Sequence, residues 1–174
     1  PANTGSKNIE YVQISSSGNG IDFGDLSEGS QSQGAVSSTT RSVISLGDPV
    51  PAAQTNILEF ITIATTGDSV NFGDLTTKRS RVSGVASQTR GVYIGGTNEL
   101  VSPYGGSTVS YVDTMDYITI ASLGNAISFG ETDVVAAHGG SVCNSTRGVI
   151  ANNFNGSSAT NTMEYITIAT TGDA

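Results

Sequence analysis

Glu59-Phe60-Ile61-Thr62-Ile63, a turn signal at Thr66-Gly67-Asp68, then Val70-Asn71-Phe72-Gly73-Asp74-Leu75: this stretch decides the fold, because the chain writes it again and again. An earlier copy reads Glu10-Tyr11-Val12-Gln13-Ile14, then Ile21-Asp22-Phe23-Gly24-Asp25-Leu26. A later one reads Asp116-Tyr117-Ile118-Thr119-Ile120, then Ile127-Ser128-Phe129-Gly130-Glu131-Thr132. Glu164-Tyr165-Ile166-Thr167-Ile168 opens a fourth copy. Tyr11 to Phe23, Phe60 to Phe72 and Tyr117 to Phe129 are each 12 positions, and each Phe stands 18 positions before Arg41, Arg90 or Arg147. The slack follows the Arg: 18 positions from Arg41 to Glu59, 26 from Arg90 to Asp116, 17 from Arg147 to Glu164. Internal repetition of this period is the mark of a repeat architecture.

Within a unit the signals are those of short strands. Phe60 and Thr62 fall on one face, Ile61 and Ile63 on the other, so both faces carry bulk, as in a sheet packed between sheets. Ser69–Gly73 reads as a second strand, Val82–Ser87 as a third of small residues, and Arg90–Gly96 as a fourth after a turn at Gln88-Thr89. Four antiparallel strands in roughly 50 residues is the spacing of a propeller blade. A parallel β-helix has shorter coils, and an immunoglobulin-type sandwich does not repeat its own sequence. The expected fold is therefore all-β, built of four-stranded antiparallel blades. The units are 8–55, 56–112 and 113–160, with a partial fourth at 161–174, in one β-repeat domain. Three units and one extra strand do not close a ring that takes typically four to eight blades. The terminal strand Glu164–Ala169 is expected to pair with another chain or with further sequence, since a bare edge invites aggregation.

Composition agrees. Hydrophobic residues are 36% of the 174, and 22 glycines with much Ser, Thr and Asn suit turns rather than helices. The net charge of −8, with seven basic residues, excludes the positive stripe that nucleic-acid binding needs and disfavours an anionic membrane surface. No apolar run is long enough for a spanning helix. Pro1–Lys7 has no apolar core like that of a signal peptide; Pro1 is what removal of an initiator Met leaves, a hint of a natural, unexported start, and a cleaved chain would begin identically.

Arg90-Gly91-Val92-Tyr93-Ile94-Gly95-Gly96 resembles the double-glycine end of a kelch repeat, and Phe72-Gly73-Asp74-Leu75 followed by Arg79 is similar to the kelch pattern of an aromatic, a Leu and an Arg. The match is to a divergent branch: Phe stands where Trp is usual, and the other units have Leu46-Gly47-Asp48 and Asn152-Asn153 in place of the double glycine. The longer phrase, Tyr-Ile-Thr-Ile-Ala, a Thr/Gly turn and Phe-Gly-Asp-Leu, looks like repeats of structural and tail-fibre-like proteins of tailed bacteriophages, notably cyanobacterial and marine ones. It covers about residues 8–174. The resemblance implies a kelch-like β-propeller and a non-enzymatic virion component, with host-surface recognition among its expected roles. Its partners would be other virion proteins or copies of itself, or a host-surface glycan or protein. It implies no catalytic residue, cofactor or metal.

The residues themselves offer little chemistry. His138 is the sole histidine; the other units carry Ser32 and Ser83 near its place, so it reads as an ordinary residue. Zinc or copper needs several His or Cys ligands, and Cys143 is the sole cysteine. Cys143 reads as a small strand residue that forms no intrachain disulfide. The recurring acids Glu10, Glu59, Asp116 and Glu164 and the recurring Arg41, Arg90 and Arg147 read as structural, pairing within or between blades or accepting backbone N–H groups. Phe23, Phe72 and Phe129 are the repeated core positions. Asp22, Asp25, Asp68, Asp74 and Asp173 lie in turn-like segments where calcium binding is conceivable, without an EF-hand pattern. Asn144-Ser145-Thr146 and Asn155-Gly156-Ser157 fit the glycosylation pattern by coincidence. The variable connection Thr97–Thr108 is the candidate recognition surface, with Asn98, Glu99 and Tyr104 as its contact residues. The competing readings are a carbohydrate- or protein-binding module of a cell-surface protein and, weakest, an enzyme fragment.

Overall fold

The computed structural model of the chain describes residues 5–49, 54–101, 107–135, 137–151 and 154–174. Every regular element among them is a strand: β1 (Ser6–Tyr11), β2 (Ile21–Gln31), β3 (Gly34–Ser37), β4 (Arg41–Ser45), β5 (Asp48–Pro49), β6 (Ile57–Thr62), β7 (Val70–Asp74), β8 (Ser83–Ala86), β9 (Arg90–Ile94), β10 (Thr97–Val101), β11 (Ser107–Tyr111), β12 (Thr114–Thr119), β13 (Ile127–Glu131), β14 (Gly140–Cys143), β15 (Arg147–Ala151) and β16 (Met163–Thr167). They form a first sheet β1-β2-β5, a second β3-β4-β6-β7, a third β8-β9-β12-β13 and a fourth β14-β15-β16; β10 and β11 make a separate hairpin. All the pairings are antiparallel.

The sheets do not coincide with the sequence units. Each four-stranded sheet takes its small-residue strand and Arg strand from one unit and its next two strands from the following unit, so Val43 lies opposite Phe60 and Val92 opposite Tyr117. One edge of the terminal strand is taken up within this chain by the same phase: β16 pairs with β15, Arg147 to Ala151 lying against Thr167 to Met163, and its other edge, the one that β7 and β13 occupy in the second and third sheets, is the border of the fourth sheet. The fixed-length segments, such as 75–82, are crossovers from one sheet to the next, while the variable segment after the Arg connects two strands of one sheet. A crossover must span a set distance between packed sheets; a connection at a sheet end has no such constraint.

A bulge recurs in three sheets. Ile9 and Glu10 pair with Gly24 and Asp22, Leu58 and Glu59 with Gly73 and Asn71, and Met115 and Asp116 with Gly130 and Ser128. Phe23, Phe72 and Phe129 are the residues skipped. Each is buried, with its ring edge-on to Tyr11, Phe60 or Tyr117, centroids 6.1–6.2 Å apart. The constant 12-residue spacing is thus a ring pair across a bulged hairpin, worth about 0.5–1.5 kcal/mol beyond its buried area.

The core lies between sheets. Val36, Val43, Leu58 and Phe72 of the second meet Tyr93, Ile118 and Ile120 at the third. Val85, Val92, Ile94, Met115 and Phe129 of the third meet Ile150, Ile166 and Ile168 at the fourth. The innermost strands β3, β8 and β14 touch side by side, which explains their small residues. Ser83 Oγ donates to Gly139 O and Ser141 Oγ to Gly84 O, both at 2.7 Å. Gly91 and Gly148 lie against Val36 and Val85 so closely that a Cβ would overlap those side chains.

Candidate functional site

The repeated residues meet at the junction between one sheet and the next, where four contacts recur. First, the bulge leaves the Phe carbonyl unpaired in its own sheet, and the following sheet's turn donates to it: Gly67 N–H to Phe23 O, Gly124 to Phe72 and Gly172 to Phe129, at 2.7–2.9 Å. Second, the side chain of the next turn residue accepts in return: Asp68 Oδ1 from Asp25 N–H, Asn125 Oδ1 from Asp74 N–H and Asp173 Oδ1 from Glu131 N–H, at 2.9–3.1 Å. Asp68 and Asp173, considered above as calcium ligands, are therefore engaged as backbone acceptors. Among the described residues no cluster of three or more His, Cys, Asp or Glu is poised to hold a metal.

Third, the recurring acids receive donors from the preceding sheet's edge. Glu59 accepts from Ser27 N–H at 3.2 Å and from the Ser27 and Ser69 hydroxyls. Asp116 accepts from Thr76 N–H at 3.1 Å and from its hydroxyl at 2.8 Å. Asp116 also holds Arg79, Nη2 to Oδ2 at 2.9 Å, both side chains fully buried. Arg79 donates further to the carbonyls of Thr114, Gly95 and Tyr93. Burial lowers the Arg79 pKa, and the charge and hydrogen bond of Asp116 oppose that shift.

Fourth, the recurring arginines do not pair with the recurring acids, which narrows the sequence expectation. Arg41, Arg90 and Arg147 lie over the rings of Phe60, Tyr117 and Tyr165, 4.3–4.6 Å from the centroids. Arg41 Nη1 then reaches Ile120 O of the next sheet at 3.0 Å, and Arg90 Nη1 reaches Ile168 O and Ala169 O at 3.1 and 2.8 Å. A cation over a ring, with its edge on carbonyls, needs a planar guanidinium. Ahead of each Arg, one side chain caps the turn: the oxygens of Ser38, Ser87 and Asn144 accept the N–H groups of Arg41, Arg90 and Arg147. Asn144 is thus a turn residue, and Asn155 likewise accepts from Ser157 and Ser158 N–H.

The candidate binding loop is a hairpin. Asn98 and Glu99 lie on β10, opposite Ser110 and Val109; Tyr104 lies outside the described residues. The hairpin's root is fastened by buried Gln54, whose Nε2 donates to Thr97 O at 3.0 Å and whose Oε1 accepts from Glu99 N–H at 2.7 Å. The Glu99 side chain is exposed. His138 has φ +61°, and the other non-glycine residues with that left-handed backbone among those described are Ser32 (+61°) and Arg81 (+58°), each nine positions past its Phe. Arg81, not Ser83, is the equivalent of His138. Cys143 is exposed, its Sγ 3.4 Å from Ala86 N. Tyr93 is fully buried and donates to Val43 O at 2.8 Å; burial raises its pKa well above the ordinary value. A surface cleft of about 460 Å³ lies between the first and second sheets and is lined by Tyr11, Phe23, Ile61 and Ile63, with no convergent polar constellation.

Sequence reasoning missed Gln54, the Arg79–Asp116 pair and the use of the arginines. The constant offsets were a signal that the arginines mattered, but pairing across a unit boundary is invisible to a reading within units.

The site defines an all-β protein of stacked antiparallel sheets, none closed into a barrel. Among solved structures it is similar to one titled "Structure of YjhT", with a TM-score of 0.55 over 71% of this chain at 9% identity. That likeness bears on the fold alone. This chain spans about a third of the other's length, 34%. No family model and no curated protein matches the sequence.

Proposed function

We propose that the sheets are blades of a kelch-like β-propeller and that the chain is a non-enzymatic structural protein of a tailed bacteriophage, in a tail fibre, appendage or decoration. The observation that carries the non-enzymatic reading is the fate of the repeated polar residues. Glu59, Asp116, Arg41 and Arg90 all bind neighbouring sheets, and none converges with another on an accessible cleft. The two groups with displaced pKa values, Arg79 and Tyr93, are sealed in the core, where no substrate reaches them. Such a chain spends its chemistry on rigidity, as a virion part must. The virion assignment draws on the sequence resemblance. Peptide mass spectrometry of purified virions tests it: recovery at a fixed stoichiometry supports it, and detection only in infected-cell lysate rejects it.

A second reading has its own observation. The β10–β11 hairpin interrupts one sheet and is anchored by Gln54 at its base, the build of a loop carried on a rigid scaffold. On this reading Asn98, Glu99 and Tyr104 contact a glycan or protein of a cell surface. Glycan-array binding lost in the Asn98→Ala, Glu99→Ala pair would support it; unchanged binding would remove the hairpin from the argument.

A further inference from the structure

The sheet junctions share a plan but not their polar side chains. Seven positions past each repeated Phe the crossover carries Ser30, Arg79 or Ala136, and the acid of the following unit is Glu59, Asp116 or Glu164. The shorter acid stands where the crossover residue is long. The facing strand follows suit. Ser45 of β4 and Ile94 of β9 are equivalent, each four positions past its Arg, and both are buried. Ser45 shares the face of Val43 that meets the third sheet. Arg79 enters the same space: its N–H donates to Thr55 O, and Thr55 N–H to Gly47 O, two residues past Ser45. Ile94 instead faces the fourth sheet, where Ile166 and Ile168 pack and Glu164 shares their face. The crossover residue there is Ala136, which lies outside the described residues. A Ser–Arg–Asp set thus marks one junction and an Ile–Ala–Glu set the next, volume lost at one position being restored at another, as a close-packed core requires.

We infer that Ser45, Arg79 and Asp116 form a key that selects β12 as the neighbour of β9 and so keeps the units in chain order. The repeat itself creates the need. Asp116-Tyr117-Ile118-Thr119-Ile120 and Glu164-Tyr165-Ile166-Thr167-Ile168 differ only in the leading acid. Backbone pairing and ring contacts with β9 therefore accept β16 as readily as β12. Loop closure discriminates weakly, because its entropy grows slowly with loop length. Arg79 reads the one difference. It donates to Tyr93 O and Gly95 O at β9 and, across the strand pair, to Thr114 O and Asp116 Oδ2 at β12. Thr162 stands where Thr114 does, so a mispaired β16 offers the same carbonyl. It fails at the carboxylate, since Glu164 brings one more methylene to a guanidinium already fixed by carbonyls. In a fully buried site that misfit leaves a charge uncompensated. The set is not there for stability alone: Arg79 Nε and Ser45 Oγ are buried without a hydrogen-bond partner, and the next junction fills these positions with apolar Ile and Ala. Fixing register is the best-attested use of polar groups kept in a core. The inference stands apart from the propeller and virion readings.

The test is pulse-labelled hydrogen exchange during refolding from urea, read by peptide mass spectrometry on the 174-residue chain. In the parent, Arg90–Ile94 and Thr114–Thr119 should gain protection together, as one population. Glu164→Asp gives β16 the acid that Arg79 accepts and leaves the junction between the second and third sheets untouched, so the variant still folds. It should show a second population in which β9 and β16 are protected before β12. Exchanging the acids, Asp116→Glu with Glu164→Asp, keeps the composition and should make that second population the larger of the two. Protection of β9 with β12 in the parent's order and amplitude in both variants would overturn the inference. So would a uniform slowing of every strand, the second sheet included, because residues that merely hold the fold would slow all strands without changing which one pairs.

Discussion

Gly73 stands against the carbonyl oxygen of Gly124 in the next sheet so closely that a Cβ at position 73 would overlap it. Gly24 meets Gly67 and Gly130 meets Gly172 in the same way. The Gly of each Phe-Gly pair is therefore set by a sheet-to-sheet approach as well as by its φ of about +151°. Gly124 has a similar φ, but nothing lies within 4 Å of a Cβ built there. The two sites separate backbone strain from steric overlap. Gly124→Ala should cost about 1–3 kcal/mol, the strain alone, and Gly73→Ala about 3–5 kcal/mol, strain plus a displaced junction. Thermal unfolding followed by circular dichroism would rank them. Equal losses would show that the junction yields at no cost.

Ser32 offers the opposite change. It holds φ +61° without being glycine, a conformation that costs an L-residue about 1–2 kcal/mol. Ser32→Gly should relieve part of that strain. The gain is offset by the greater freedom of glycine in the unfolded chain, leaving about 1 kcal/mol, or roughly 2–4 °C in Tm. A lower Tm would show that the hydroxyl supplies more than the strain removes.

What the sequence discloses here is the repeat, and with it the strands, the turns and the all-β class. Phe60 and Phe72 are visible as a constant pair because a ring contact fixes their spacing. The sheet boundaries were not visible. Alternation along β9 shows which residues share a face, but not that Arg90–Ile94 pairs with β12 across the β10–β11 hairpin rather than staying within its unit. The bulge at Phe72 was hidden for a related reason: a skipped residue leaves no mark in the strand that carries it. Arg79 was legible only as part of a motif. Its partner Asp116 lies 37 positions on, in the next unit, and no local pattern joins them.

That pair carries a sharp energetic expectation. Removing one partner of a buried ion pair leaves a charge in a low-dielectric site, at about 3–5 kcal/mol. Arg79→Met should cost that much, since it also strands the carbonyls of Thr114 and Gly95. Asp116→Asn should cost less, because an amide still accepts from Thr76. In the double variant the two losses should fall well short of additive, measured by urea unfolding of all four proteins. Strict additivity would mean that Arg79 serves the carbonyls and Asp116 the threonine, with no energy between them.

Tyr93 gives the fold an alkaline limit. Its hydroxyl is buried on Val43 O, and burial raises its pKa in the folded chain. In the unfolded chain the phenol ionises near pH 10. Below that pH both states hold the proton and the tyrosine's contribution is complete. As pH rises past about 10 the unfolded state loses its proton first, so stability falls, and it goes on falling until the folded phenol ionises as well. Urea midpoints of the parent should therefore drop above about pH 10. In Tyr93→Phe that part of the slope should vanish, at a cost near neutral pH of about 1 kcal/mol for the lost hydrogen bond. Phenolate absorbance should show one tyrosine that ionises only as the chain unfolds, and it should be missing from Tyr93→Phe. A parent and variant with the same alkaline slope would place the ionising group elsewhere.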